Sequence, residues 1–297
     1  VPGETIGFVG LGKMGEGFTA RLMELGHQVL GYDIDADRCR EAAARGVKIA
    51  ASPAAVFATC DVTLVCVIST AAVADVVSGP NGFTSVGATT GKIVVDHSTT
   101  ELETTKRLAR ELKERTGAGF VDAPVSGGPN GAAAGKLAIM AGGDQATIDA
   151  VRPLMEQLSA RFAHMGEVGA GQATKLVNQV LVLANYVVIA EAVNLGKKLG
   201  IDVAQIPHAL ATGHAGGNLL NDLLPRMVER DFAPRGYARQ ILKDLNLVQH
   251  TAGDLPLPMV ATATSLYRLL IAQGKSELDG AAIVALLDGS SGTLGDG

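Results

Sequence analysis

Gly10-Leu11-Gly12-Lys13-Met14-Gly15 is the first stretch whose residue types and spacing point to chemistry. It follows an apolar run, Thr5–Val9, and opens a segment that reads as a helix through about Leu25. In such a turn the first glycine permits the tight reversal. The second lets the backbone approach a pyrophosphate, and the third lets helix and strand pack closely. Amides at the helix N-terminus then face the phosphates with the favourable end of the helix dipole. Asp33 ends the next apolar run, Gln28–Tyr32, about twenty residues further on, where a carboxylate accepts hydrogen bonds from the adenosine ribose hydroxyls. The same charge repels a 2′-phosphate, so the pattern favours NAD over NADP. Arg38 and Arg40, close by, are the groups that would admit NADP. The competing reading is a glycine-rich turn beside an ordinary surface aspartate, which the spacing and the strand context disfavour.

The elements that must position these residues alternate in type. Val62–Val67 and Ile93–Val95 are continuous apolar runs of strand length, as in parallel sheets buried on both faces. Glu101–Thr116 reads as an amphipathic helix, Gly119–Val121 and Leu137–Ala141 as strands, and Gln145–Leu158 as a helix. Such alternation predicts a doubly wound, mostly parallel α/β sheet of the Rossmann type. After about His164 the pattern changes. Gln172–Leu199 reads as one helix of about seven turns, apolar almost all round and therefore buried on most sides, between the two halves of the molecule. Val203–Thr212, Leu219–Arg230, Ala238–Thr251, Pro258–Gln273 and Ala281–Leu287 then form an all-α domain, with Pro225 expected to kink or split its second segment. The expected division is residues 1–164 and 165–297. The Gly/Ser-rich tail, Asp288–Gly297, is expected to be mobile.

Composition excludes several function classes. A net charge of −5 without a basic block gives no electrostatic reason for nucleic-acid binding. Three cysteines, Cys39, Cys60 and Cys66, do not make a disulfide framework, and no Cys/His spacing resembles a metal site. The opening VPGETIGFVGLG has no basic segment before its apolar stretch and does not read as a signal peptide. The longest apolar region, Leu176–Val193, is interrupted by Asn178, Gln179, Asn185 and Glu191, each costly in hydrocarbon. A soluble cytoplasmic or organelle-matrix protein is expected, and its apolar helices suggest a homodimer or homotetramer.

GFVGLGKMG, DAPVSGGPNGAAAGKL, GAGQATKLVNQ and the later KDL, in this order, resemble the β-hydroxyacid dehydrogenases, over about Thr5 to Leu287. The resemblance implies hydride transfer between NAD and a small carboxylate-bearing hydroxy acid or its semialdehyde. It makes Lys175 the general acid/base: alcohol oxidation needs a base for the hydroxyl proton, and an amine serves if burial or a nearby cation lowers its pKa. It makes Asn178, three residues on and on the same helix face, the group that orients the substrate. Gln179 stands where many members carry a second Asn. Ser126, Gly127 and Gly128 are implied to grip the substrate carboxylate through successive backbone amides and a hydroxyl. Thr99, the Val67 backbone and Lys243 are implied cofactor contacts, joining Gly10, Leu11, Gly12, Met14, Gly15 and Asp33. The substrate would lie in a cleft between the domains, with no metal. His214 and Asn218 fall where the family shapes its substrate pocket, and Arg235 is inserted in the segment Asp231–Tyr237 relative to the usual pattern. Two alternatives stay open: a related reductase acting on another substrate class, such as an imine reductase or a decarboxylating sugar-acid dehydrogenase, and a non-catalytic dinucleotide-binding adaptor. Retention of Lys175 and Asn178 argues against the imine reductase and the adaptor, and the short C-terminal domain against the sugar-acid enzyme.

Overall fold

The structure, a computed structural model, describes residues 4–288. The chain divides into two compact units between Lys175 and Leu176. All of the tail except Asp288 lies outside the described residues.

The first unit is a sheet wrapped by helices. Its strands are β1 (Thr5–Val9), β2 (Gln28–Tyr32), β3 (Lys48–Ile49), β4 (Val62–Val65), β5 (Ile93–Asp96), β6 (Gly119–Asp122), β7 (Val125–Ser126), β8 (Leu137–Gly142) and β9 (Ser159–Gly166). Its helices are α1 (Lys13–Glu24), α2 (Ala36–Ala44), α3 (Pro53–Thr59), α4 (Thr70–Ser78), α5 (Leu102–Thr116), α6 (Gly128–Ala133) and α7 (Gln145–Gln157). The sheet order is β3-β2-β1-β4-β5-β6-β8-β7, with β9 on β8. Neighbours from β3 to β6 are parallel, whereas β8 runs antiparallel to β6 and β7. The chain leaves β1 in opposite directions toward β2 and β4, so the crevice beyond their carboxyl ends is the switch point where such sheets bind ligands.

Burial on both faces explains the continuous apolar strands. Successive strand residues point to opposite faces. Phe8, Leu64 and Val95 pack into one apolar cluster and their neighbours Val9, Val65 and Val94 into another. Helix starts follow side-chain chemistry: Asp35, Ser52, Ser69 and Asp144 each accept from a backbone N–H in the first turn of α2, α3, α4 and α7. Gly117, left-handed, ends α5.

The second unit is helical. Helix α8 (Ala170–Lys198) enters it from the first, and α9 (Ile206–Ala209), α10 (Asn218–Glu229), α11 (Ala238–Ala252), α12 (Pro258–Ala272) and α13 (Ile283–Leu287) follow. Its core includes Leu183, Leu223, Leu224, Met227, Leu245 and Tyr267. The buried Tyr267 hydroxyl donates to Gly280 O at 2.9 Å. Arg226 donates to Asp279 Oδ1 at 2.9 Å.

Several expectations need correction. Helix α10 runs unbroken through Pro225, because a proline removes one backbone donor and its neighbours can hold the remaining turns. The segment 203–212 is only a short 3₁₀ turn and the four-residue α9. Helix α8 is not buried on most sides: Val177, Leu181, Val188 and Leu195 are exposed, and 39% of its most apolar window is buried. Among the described residues it is the one helix long and apolar enough, by length and composition, to cross a membrane.

The carboxyl ends of β5 and β6 carry two buried ionisable groups. His97, just after β5, is fully buried, stacks on Phe18 with ring centroids 4.7 Å apart, and donates from Nδ1 to Ala123 O at 2.7 Å. Burial pushes its pKa down to about 4 from an ordinary 6.5. Asp122 ends β6, and burial pushes its carboxyl up to about 6 from 3.8, although backbone amides oppose the shift. The two act on stability with opposite signs. As pH falls from 6.5 toward 4 the unfolded chain gains a proton that folded His97 refuses, so stability is lost by up to about 1.4 kcal/mol per pH unit. As pH falls from 6 toward 3.8 folded Asp122 gains a proton that the unfolded chain does not, so stability is gained. We predict that urea unfolding between about pH 6 and pH 4 will separate them. His97→Gln will gain stability relative to the unaltered protein as pH falls, and Asp122→Asn will lose it. Parallel pH profiles for the three proteins would refute both shifts.

Candidate active site

The glycine turn is shaped as a cradle. Gly10 has φ +101°, and a Cβ there would stand 2.1 Å from Cys66 O. A Cβ on Gly15 would stand 2.0 Å from Gly10 O, so helix α1 crosses β1 at a distance only glycine allows. Around Gly12 the nearest atom to an added Cβ is the Arg38 guanidinium, at 3.4 Å. No side chain caps α1, unlike α2, α3, α4 and α7. Its first amides and the space beside Gly12 therefore fit the pyrophosphate of a dinucleotide. Leu11 is buried and Met14 half-buried against the core.

Asp33 does more than end β2. It is 8% exposed, with Oδ2 accepting from Leu11 N at 2.7 Å and Oδ1 from Asp35 N at 2.9 Å. Each carboxylate oxygen has two acceptor sites, so both keep one for a ribose hydroxyl. The Arg38 guanidinium lies 3.8 Å from Oδ2 and is half exposed. Its partner Arg40 pairs with Asp37 on the surface of α2.

The start of α8 is tied to the sheet edge. Asp122 Oδ1 accepts from Gly169 N at 2.7 Å and Oδ2 from Gln172 N at 2.8 Å. The carboxylate thus caps the helix from another strand. Gln172, fully buried, donates from Nε2 to Ser98 O at 2.8 Å and accepts at Oε1 from Thr100 N at 3.1 Å. This side chain brackets the half-buried Thr99. Ser98 Oγ in turn accepts from Val67 N at 3.0 Å. One turn beyond Gln172, Lys175 is 8% exposed and donates from Nζ to Val125 O at 2.8 Å. Ser126 follows immediately. Gly127 and Gly128, exposed and at φ +131° and +65°, lead into α6. The first unit therefore brings Lys175 to the strand that carries Ser126, and Val67 to the loop that carries Thr99.

In the second unit Asn178 Nδ2 donates to Gln179 Oε1 at 2.9 Å, and Gln179 Nε2 donates to Asp244 Oδ2 at 2.5 Å. Lys243 Nζ lies 3.0 Å from Asp244 Oδ1. His214 and Asn218, expected near the substrate, are exposed, the latter as the first residue of α10. Arg235 pairs with Asp222 and Asp231 at 3.1 and 3.2 Å, so the segment that carries it is pinned by its own guanidinium.

Sequence reasoning missed Asp122, Gln172 and Asp244. Asp122 and Gln172 stand inside motifs already singled out, DAPVSGG and GAGQATK. Their partners lie 47 to 74 residues away, and no local spacing announces such bonds. Among the described residues no cluster of three or more His, Cys, Asp or Glu side chains could hold a metal.

Residues 5–166 match the family described as the NAD binding domain of 6-phosphogluconate dehydrogenase. Residues 169–287 match the family described as NAD-binding of NADP-dependent 3-hydroxyisobutyrate dehydrogenase. The 2-hydroxy-3-oxopropionate reductase of Escherichia coli is 37% identical, over 95% of this chain and 97% of that protein. The mitochondrial 3-hydroxyisobutyrate dehydrogenase of Mus musculus is 31% identical, over 95% of this chain and 86% of that protein. The solved structure of Mycobacterium tuberculosis 3-hydroxyisobutyrate dehydrogenase with L-serine superposes with a TM-score of 0.83 at 28% identity, covering 96% of this chain and 99% of that one. With relatives at this identity over nearly its whole length, the chain belongs to the β-hydroxyacid dehydrogenase family, NAD(P)-dependent oxidoreductases acting on the CH–OH group of hydroxy acids.

Proposed function

We propose that the protein is an NAD-dependent dehydrogenase of a small 3-hydroxy acid or its semialdehyde, with Lys175 as general acid/base. One observation carries the assignment of the base. The Lys175 ammonium is nearly buried and held at Val125 O, at the foot of a loop with two positive-φ glycines. Nicotinamide, when bound, supplies hydride transfer. In this reading Lys175 takes the hydroxyl proton on oxidation and returns it on reduction. Ser126, Gly127 and Gly128 receive the substrate carboxylate, and Asn178 orients the substrate. Gly10, Leu11, Gly12, Met14 and Gly15 receive the pyrophosphate, Asp33 the ribose, and Val67, Thr99 and Lys243 the rest of the cofactor. Residues 1–164 serve as the dinucleotide domain and 165–297 as the substrate and oligomerisation domain of a cytoplasmic enzyme.

The assay is NADH formation with 3-hydroxyisobutyrate, glycerate, 3-hydroxypropionate, serine and threonate. We expect turnover on at least one, and a fall in kcat of roughly 10²–10⁴-fold in Lys175→Ala, the usual worth of acid–base catalysis. NADH affinity, read by its fluorescence, should stay nearly unchanged. Normal turnover in the variant would overturn the mechanism.

The preference for NAD rests on Asp33. A 2′-phosphate brought beside this carboxylate would meet like charge. Arg38 supports a second reading, NADP use, because its guanidinium borders both Asp33 and Gly12. We expect Asp33→Asn to raise the KM for NAD by about tenfold or more, the worth of a charged hydrogen bond, and to narrow the NAD-to-NADP ratio of kcat/KM. Arg38→Ala should leave NAD kinetics near normal. A wild-type protein that prefers NADP and loses that preference in Arg38→Ala would establish the second reading.

The exposed face of α8 supports a homo-oligomer, dimer or tetramer. Leu181, Val188 and Leu195 recur at seven-residue steps, and Val177 lies one turn before the first. A seven-residue apolar repeat is the spacing another helix reads, and a second copy supplies the same stripe in a symmetric pairing. Light scattering should give at least twice the monomer mass, reduced to the monomer by Leu181→Glu with Leu195→Glu. A monomeric unaltered protein would overturn this assembly.

A further inference from the structure

Asn178 and Lys243, assigned above to substrate and cofactor, are ends of one polar chain in the second unit. Its middle members are Gln179, 6% exposed, and Asp244. The chain has a fixed polarity. An ionised carboxylate only accepts, and Asp244 spends Oδ1 on the Lys243 ammonium at 3.0 Å. Gln179 must therefore turn its NH₂ toward Oδ2, 2.5 Å away. That leaves Gln179 Oε1 facing Asn178, which must donate through Nδ2 at 2.9 Å. Asn178 is thereby held in one of its two amide orientations, with Oδ1 and a single N–H left for a ligand. An amide with no such neighbour flips between two settings that present opposite hydrogen-bonding patterns.

We propose that Gln179 and Asp244 are positioning residues: the Asp244 charge sets, through Gln179, which end of the Asn178 amide meets the substrate hydroxyl, and holds Lys243 with its other oxygen. This rests on the substrate and cofactor roles proposed above. It assigns a purpose to the glutamine that replaces asparagine at this position. Gln179 is longer by one methylene and spans from Asn178 on its own helix to Asp244 on α11. In this array Asn178 keeps one Nδ2 N–H to donate to the hydroxyl oxygen of the alcohol form, whose single proton is left to Lys175.

The test uses steady-state kinetics with the hydroxy acid found in the panel and with NAD. Gln179→Leu keeps the volume and removes both amide bonds while leaving the Lys243–Asp244 pair. We expect its KM for the hydroxy acid to rise about tenfold or more, with the KM for NAD within about twofold of normal. Asp244→Asn, which releases both the polarity and Lys243, should raise both KM values. A purely structural glutamine would lower the melting temperature without splitting the two constants. Unchanged KM values in Gln179→Leu, or equal changes in both, would overturn the proposal. Lys175→Ala run alongside separates the two ideas. Lost turnover there with normal KM values in Gln179→Leu refutes the array alone. Retained turnover there with a raised hydroxy-acid KM in Gln179→Leu refutes the acid/base role alone.

Discussion

The carboxylate of Asp122 at the N-terminus of α8 is the interaction on which the first unit's functional groups depend. Burial makes its charged form costly, and the compensation comes from amides of a helix that starts 48 residues later in the chain. The helix gains a cap for its unpaired first N–H groups, and the positive end of its dipole faces a negative charge. The arrangement admits no side chains around it. A Cβ on Gly142 would stand 2.6 Å from Asp122 Oδ1, and one on Gly171 2.4 Å from Asp122 O. The glycines near this edge therefore serve a carboxylate that must touch a helix end, as well as any ligand.

From that anchor the remaining positions follow by short links. Once α8 starts where Asp122 fixes it, Gln172 faces the loop after β5 and takes one donor and one acceptor from it. That loop returns a hydroxyl to Val67 N. Lys175, one turn on, then reaches β7. None of these bonds exceeds 3.1 Å, and each joins segments far apart in sequence. A buried network of this kind specifies one arrangement when every member is satisfied and is costly when one is not. This is how a sheet edge made of separate loops presents a lysine, a serine and a threonine in fixed register.

The same distances explain what the sequence disclosed. The glycine turn, Asp33 and the alternation of strands and helices were legible because they depend on local spacing and on apolar runs buried on two faces. The β-hydroxyacid dehydrogenase resemblance was legible because its motifs are short and ordered. Strands β3 and β7 were not, being two residues each. Strand β9 was missed because Ala160, Arg161, Ala163 and Met165 are exposed, so no buried apolar run marks it. The long helix was read correctly as one element, with ends within two residues of Ala170–Lys198. Its surroundings were misjudged, because apolar content reports what a face prefers and says nothing of whether this chain itself covers it. Asp122 and Gln172 were invisible for the opposite reason. A polar residue headed for burial carries no mark until its partner is brought to it.

Buried aspartates recur as ties in both units. Asp33 accepts from Leu11 and Asp35 amides, and Asp122 from Gly169 and Gln172. Asp279 accepts from the amides of Arg235, Gly236 and Ala281 and pairs with Arg226. In each case the carboxylate's acceptor capacity is used on backbone that would otherwise lie unpaired in a turn or at a helix start, where leaving it unmet costs about as much as a lost hydrogen bond. Each of these carboxylates works as an acceptor for N–H groups that the fold brings to it. Lys175, proposed above as the group that handles the proton, is tied in the opposite sense, as a donor to a carbonyl of a two-residue strand. Carboxylates that accept from the backbone and an amine that donates to it thus fix separate segments by complementary bonds, which is how residues remote in sequence come to share one sheet edge.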